Sequence, residues 1–108
     1  MSSEPPAVLV TGSFVTGEDQ PVQGQVRFVP GRLWVVYEGI TWACLAPEIV
    51  IGPSGKFVAY LTATDCDSVP FTYKVETPAG HWVTHVPWAE NGYSLRDLLK
   101  MHGDRIPS

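Results

Sequence analysis

The stretch that decides the fold reads Gly52-Pro53-Ser54-Gly55, then Lys56-Phe57-Val58-Ala59-Tyr60-Leu61-Thr62, a turn through Asp65-Cys66-Asp67, and Pro70-Phe71-Thr72-Tyr73-Lys74-Val75-Glu76-Thr77. Phe57, Ala59 and Leu61 share one side of the first run, with Lys56 and Tyr60 on the other. Phe71, Tyr73 and Val75 alternate in the same way with Thr72, Lys74 and Glu76. Successive side chains of a strand point to opposite faces, so a period of two marks a strand with one face buried. The glycine, proline and aspartate clusters between the runs supply the backbone angles and local hydrogen bonds of turns.

The rhythm continues on both sides. Val8, Val10, Gly12 and Phe14 fall on one face of a first strand, and Thr16-Gly17-Glu18-Asp19-Gln20-Pro21 turns the chain. Val22, Gly24, Val26 and Phe28 alternate with Gln23, Gln25 and Arg27 until Pro30-Gly31. Leu33–Tyr37 and Ile40–Leu45 form a hairpin around Glu38-Gly39. Both its runs carry apolar residues of either parity, so each is covered on both faces or offers one to a partner. Pro47 interrupts, Glu48–Ile51 is a short strand, and Thr77-Pro78-Ala79-Gly80 leads into a last strand, His81–Val86, stopped by Pro87. About seven or eight short strands at regular spacing predict an all-β fold, an antiparallel β-sandwich or small barrel. Antiparallel pairing follows from the short connections, because parallel neighbours need long crossovers.

The tail has a different period. Ser94 precedes Leu95, Leu98, Leu99 and His102 at helical spacing, Asp97 completes an aspartate variant of the capping box, and Gly103 sits where the helix ends. A helix of about nine residues is unstable alone in water. It must dock on the sandwich, dock on a partner, or fray. Asp104–Ser108 reads as a loose end. The organisation expected is a flexible arm over residues 1–7, shaped by Pro5-Pro6, a β-domain over 8–93, and a short C-terminal helix with tail over 94–108.

At 108 residues with 44% hydrophobic content, the chain makes one domain with enough apolar surface for an ordinary core. Net charge is −4 and Lys and Arg form no block. The clustered cations that displace counterions from phosphates are missing, which argues against nucleic-acid partners and against an anionic membrane surface. No run of about 20 apolar residues predicts membrane insertion. The start, Met1-Ser2-Ser3-Glu4-Pro5-Pro6, lacks the basic and apolar regions of a secretory signal, so folding in a cytoplasm is expected. Cys44 and Cys66 match no zinc spacing and read as small buried hydrophobes, with pairing left open.

Reaction chemistry is scarce. His81 and His85 lie four apart on one side of a predicted strand, which separates them by about 13 Å, too far to share a metal ion. Asp65-Cys66-Asp67 lacks the further oxygen ligands of a calcium loop and reads as a turn. Ser13, Ser54, Ser68 and Ser94 sit in no nucleophile elbow, and no glycine-rich phosphate loop occurs. A non-enzymatic protein without catalytic residues, metal or cofactor is the expectation. The aromatic content says more. Of Trp34, Trp42, Trp82 and Trp88 one or two are expected in the core; the remainder, with Tyr37, Tyr60 and Tyr93, either form a contact surface, where Trp and Tyr concentrate binding energy, or are themselves core or half-buried.

The ordered set Val10-Thr11-Gly12, Pro21–Pro30 with its Gly24-x-Val26-x-Phe28 strand, Gly52–Asp65 with Gly55-Lys56-Phe57, Phe71–Thr77 with Tyr73-x-Val75, Val86-Pro87 and Ser94–Leu98 resembles a small β-domain of minor tail proteins from long-tailed phages of actinobacteria. More distantly it is similar to transthyretin-like and carboxypeptidase-regulatory-like sandwiches. The aromatic-rich segment Leu33–Leu45 departs from that pattern. The resemblance implies a virion protein that assembles with other tail or capsid proteins and with copies of itself, at the tail tip or baseplate or as capsid decoration. The contacts expected are Trp34, Tyr37 and Trp42 of the hairpin, Trp88 and Tyr93, and Leu95, Leu98 and Leu99 of the helix. A carbohydrate- or receptor-binding module that stacks host-surface glycans on exposed tryptophans is the other class these residues allow.

Overall fold

The computed structural model describes residues 4–18 and 20–107. Met1–Ser3, the start of the expected arm, Asp19 of the first turn, and Ser108 lie outside the described residues. Among the described residues the chain forms ten strands and one helix: β1 Ala7–Ser13, β2 Gln25–Pro30, β3 Trp34–Tyr37, β4 Ile40–Ala43, β5 Glu48–Val50, β6 Lys56–Thr62, β7 Tyr73–Thr77, β8 Gly80–Thr84, β9 Tyr93–Ser94, α1 Leu95–His102 and β10 Gly103–Ile106. The fold is mostly β, as the alternating runs require. Its strands divide into three sheets, ordered β6-β1-β9, β10-β8-β7-β2-β5 and β3-β4, so the two-layer arrangement expected from strand spacing is too simple.

The best-patterned segments behave as their side chains dictate. In β6, Phe57, Ala59 and Leu61 are buried while Lys56, Val58 and Tyr60 face out; in β7, Tyr73, Val75 and Thr77 are buried. β1 sits between β6 and β9 and sends Val8 and Val10 inward. The core collects these with Val26 and Phe28 of β2, Val35 of β3, and Leu95 and Leu98 of α1. Phe57 ties its parts together, its ring centroid 5.8 Å from Phe14 and 6.3 Å from Phe28.

Among the described residues pairing is antiparallel except between β1 and β9, where Val10 aligns with Tyr93 and Thr11 with Ser94 in parallel. Short connections force antiparallel neighbours, but β9 returns to β1 after most of the chain has passed and is free of that constraint. β2 begins later than the alternation suggests. Val22 bonds back to the Phe14 carbonyl at 2.9 Å, and Gly24, at φ 146°, turns the chain before the ladder starts.

Both ends are more ordered than expected. The Pro6 carbonyl accepts from the Ala63 amide at 2.9 Å and Ala7 opens β1, so the expected arm over 1–7 is anchored from Pro6 onward. The expected loose end is β10, antiparallel to β8 from Gly103↔Thr84 to Ile106↔His81. Arg105 lies over the Trp82 ring, 5.4 Å from its centroid, and donates to the Ala79 carbonyl.

The helix forms as its caps predict. Ser94 Oγ accepts from the Asp97 amide at 3.2 Å, and Lys100 and His102 occupy the last turn, where the dipole favours cations. Gly103 ends it in extended conformation, its N–H bonded to the Leu99 carbonyl. Leu95 and Leu98 are buried in the chain's own core and Leu99 packs against it. The partner contacts expected of Leu95 and Leu98 are therefore corrected. A short helix needs its apolar face covered, and each leucine contributes about 1.5–3 kcal/mol by burial here rather than waiting for another protein.

Candidate interaction surface

The β3–β4 hairpin follows from one local requirement. A two-residue turn between twisted strands takes positive φ at both central positions. Glu38 has φ 52° and Gly39 φ 74°, and the ladder closes directly outside them at Tyr37↔Ile40. The space around Gly39 is open, so the backbone angle rather than crowding selects glycine.

The register sorts the hairpin's side chains. Val35 and Trp42 oppose each other on the inner face, where Val35 is fully buried and Trp42 packs against the core, donating from Nε1 to the Tyr37 carbonyl at 3.2 Å. Trp34 opposite Ala43 and Val36 opposite Thr41 form the outer face. Trp34 is 57% exposed and Val36 52%. Leu33, just before β3, is more exposed still.

Two polar anchors hold this apolar hairpin to the body. Asp67 Oδ2 accepts from the Val36 amide at 2.9 Å and pairs with Arg32 Nη1 at 3.3 Å, while the same guanidinium donates to the Val69 carbonyl. The Val36 N–H is the main cause that holds the Asp67 carboxyl below its ordinary range. Beyond β4, the Leu45 amide donates to Thr62 Oγ1 at 2.9 Å. The buried Tyr73 hydroxyl donates to the Leu45 carbonyl at 2.6 Å and accepts from the Thr62 amide at 3.0 Å. Burial pushes Tyr73 up to about 12.

The Asp-Cys-Asp turn also reaches the other aromatic segment. Asp65 Oδ1 accepts from the Trp88 amide at 3.1 Å, so the turn is clamped to β3 by Asp67 and to Trp88 by Asp65. Trp88 is 53% exposed. Tyr93 is half-buried, donates to the Pro87 carbonyl at 3.0 Å, and meets His102 edge-on. Burial pushes its hydroxyl up.

The eight expected contact residues thus separate. Trp34 and Trp88 are free surface, Tyr37, Trp42, Tyr93 and Leu99 are half-buried, and Leu95 and Leu98 are interior. The hairpin is legible in the sequence; the exposure of Val36 and the role of the two aspartates that hold the segments in place are not. The spacing Asp65-x-Asp67 was visible; its partners, far along the chain, were not.

Cys44 and Cys66 are free thiols, half-buried, and each is pushed up chiefly by burial. His81 is exposed in β8, while His85 lies past its end, so the two do not share one strand as expected. Among the described residues no three His, Cys, Asp or Glu side chains converge to hold a metal ion. No helix among them is long and apolar enough to cross a membrane. No protein-family model matches the chain, and no curated protein matches it.

Proposed function

We propose that this chain is a non-enzymatic structural protein of a phage virion, a minor tail protein at the tail tip or baseplate that works by protein–protein contact. The observation that carries the reading is the β3–β4 hairpin. It presents Leu33, Trp34 and Val36 to solvent while Asp67, Thr62 and Tyr73 fix its position. A rigid apolar projection suits repeated contacts in a symmetric assembly, because it loses little conformational freedom on docking. The two larger sheets are read as the layers of a sandwich, with the hairpin as an addition carried on them. Copies of this chain and other tail proteins are the partners. The test is cryo-electron microscopy of purified particles, with mass spectrometry for the chain. Density at the tail tip supports the reading, density over the capsid lattice makes it a decoration protein, and absence of the chain from particles ends the virion proposal.

A second reading rests on Trp34 and Trp88, both more than half exposed; Trp88 is tied to the Asp65–Asp67 turn by its own amide, and the strand that carries Trp34 is tied there through Val36. Flat exposed tryptophans are stacking platforms for sugars. A glycan array with wild type, Trp34→Ala and Trp88→Ala separates the two. Binding lost in both variants favours glycan recognition; no binding by wild type leaves assembly.

A further inference from the structure

A groove of about 800 Å³ lies away from the hairpin, between the end of β1, the start of β6, β8 and the first turn of α1. Its size falls in the range of small-ligand sites, roughly 300–1,000 Å³. Its apolar walls are Phe14, Phe57, Trp82 and Leu99. Each wall is held in place: the Phe14 and Phe57 rings stack at 17°, Arg105 covers Trp82, and Leu99 packs against the core. Gly12 forms part of the floor, where a Cβ would collide with the Phe57 ring and approach Leu95 Cβ to 3.4 Å. Glycine there lets the aromatic ring lie directly on the β1 backbone.

The charge of the groove is opposite to that of the molecule. The chain has eleven acidic and seven basic residues, yet among the described residues the groove is lined by Lys56 and Arg96 and by no carboxylate. Among the described residues neither cation has an acidic partner within ion-pair distance. Two like charges at one apolar groove repel each other, and the N-terminal end of α1, from Ser94 to Arg96, adds its own positive partial charge. The missing complement is one negative charge on an apolar body.

We propose that this groove is a binding site for a small amphiphilic anion, an apolar acyl chain or fused aromatic system carrying a carboxylate or sulfonate. The body lies among Phe14, Phe57, Trp82 and Leu99, and the head group sits between Lys56 and Arg96. The proposal stands whatever place the chain takes in a particle.

The test titrates the full-length protein with 8-anilinonaphthalene-1-sulfonate, followed by ligand fluorescence and by backbone and indole NMR shifts. Decanoate and 2-naphthoate serve as competitors. Saturable binding is expected, with shifts at Thr11–Phe14, Phe57 and the Trp82 indole. The double variant Lys56→Gln/Arg96→Gln, both positions exposed, should bind about tenfold more weakly, a loss of about 1.4 kcal/mol. Salt should weaken wild-type binding and leave the double variant nearly unaffected. Displacement by decanoate assigns an acyl ligand and displacement by 2-naphthoate an aromatic one. Equal affinity in wild type and double variant, shifts centred on the β3–β4 hairpin, or no binding at millimolar probe each overturns the proposal.

Discussion

Replacing Tyr73 by Phe removes one oxygen and keeps the ring in the core. The hydroxyl bonds the Thr62 amide, whose residue is only 4% exposed, and the Leu45 carbonyl, whose residue is 43% exposed. The Thr62 donor loses its partner where water cannot readily replace it, a cost of about 1–3 kcal/mol; the Leu45 carbonyl can turn to solvent and forfeits about 1 kcal/mol. Together the loss is roughly 2–4 kcal/mol, a large share of the ~5–15 kcal/mol of an ordinary domain. Urea unfolding followed by tryptophan fluorescence should show the midpoint fall with an unchanged slope. A second readout is local: the Cys44 thiol, next to Leu45, should react faster with a disulfide reagent as its segment loosens.

The same residue sets an alkaline signature. Its folded pKa lies near 12, above the ordinary value of 10. The folded state therefore holds the proton more tightly than the unfolded one. That stability is fully present below pH 10 and is lost as pH rises toward 12, by up to roughly 2–3 kcal/mol. Wild type should lose that increment across the window while Tyr73→Phe stays flatter. If the variant loses under about 0.5 kcal/mol and its alkaline slope equals that of wild type, the hydroxyl does not join the Leu45 segment to β6 and the reasoning fails.

Other substitutions address the remaining contacts. Glu38→Asn places a residue tolerant of positive φ at the φ 52° position of the hairpin turn and should stabilise by ~0.5–1 kcal/mol, read as a higher Tm in calorimetry. Asp67 titrates below its ordinary value of 3.8, so its contribution is present above that pH and disappears as pH falls below it. Asp67→Asn should flatten acid unfolding below that pH, and an unchanged acid limb would count against the Val36 anchor. Trp34→Ser, on the outer face of β3, should change stability by less than ~0.5 kcal/mol yet lower self-association or incorporation into particles, measured by sedimentation and by mass spectrometry of virions.

The sequence was most legible where one face of a strand is buried. Phe57, Ala59, Leu61, Tyr73 and Val75 are all interior, as their period of two demands. The Glu38-Gly39 turn and the Ser94 cap were equally readable, because both are local rules about φ and orphan amides. What escaped is non-local. Leu95 and Leu98 carry the same pattern whether they cover the chain's own core or a partner. β10 has no apolar alternation in Gly103-Asp104-Arg105-Ile106; its backbone pairs with β8, and Arg105 rests on Trp82. Asp65 and Asp67 read as turn residues, and Asp67 does bond its own loop through Ser68. In addition they act as hooks for Trp88 and Val36, which only the folded chain brings near.

The parallel pairing of β9 with β1 has a consequence for the order in which the molecule is made. Val10 and Tyr93 are neighbours in one sheet although 83 positions separate them. β1 leaves the ribosome well before β9 and gains that neighbour only once the residues around Tyr93 have emerged. Closing so long a loop costs entropy before any contact offsets it, which places folding in the slow regime of non-local β topologies, about milliseconds to seconds. Until then Val8, Val10 and the half-formed edges are open to other nascent chains. Expression yield should therefore respond to synthesis rate and temperature more steeply than the stability of the finished domain suggests.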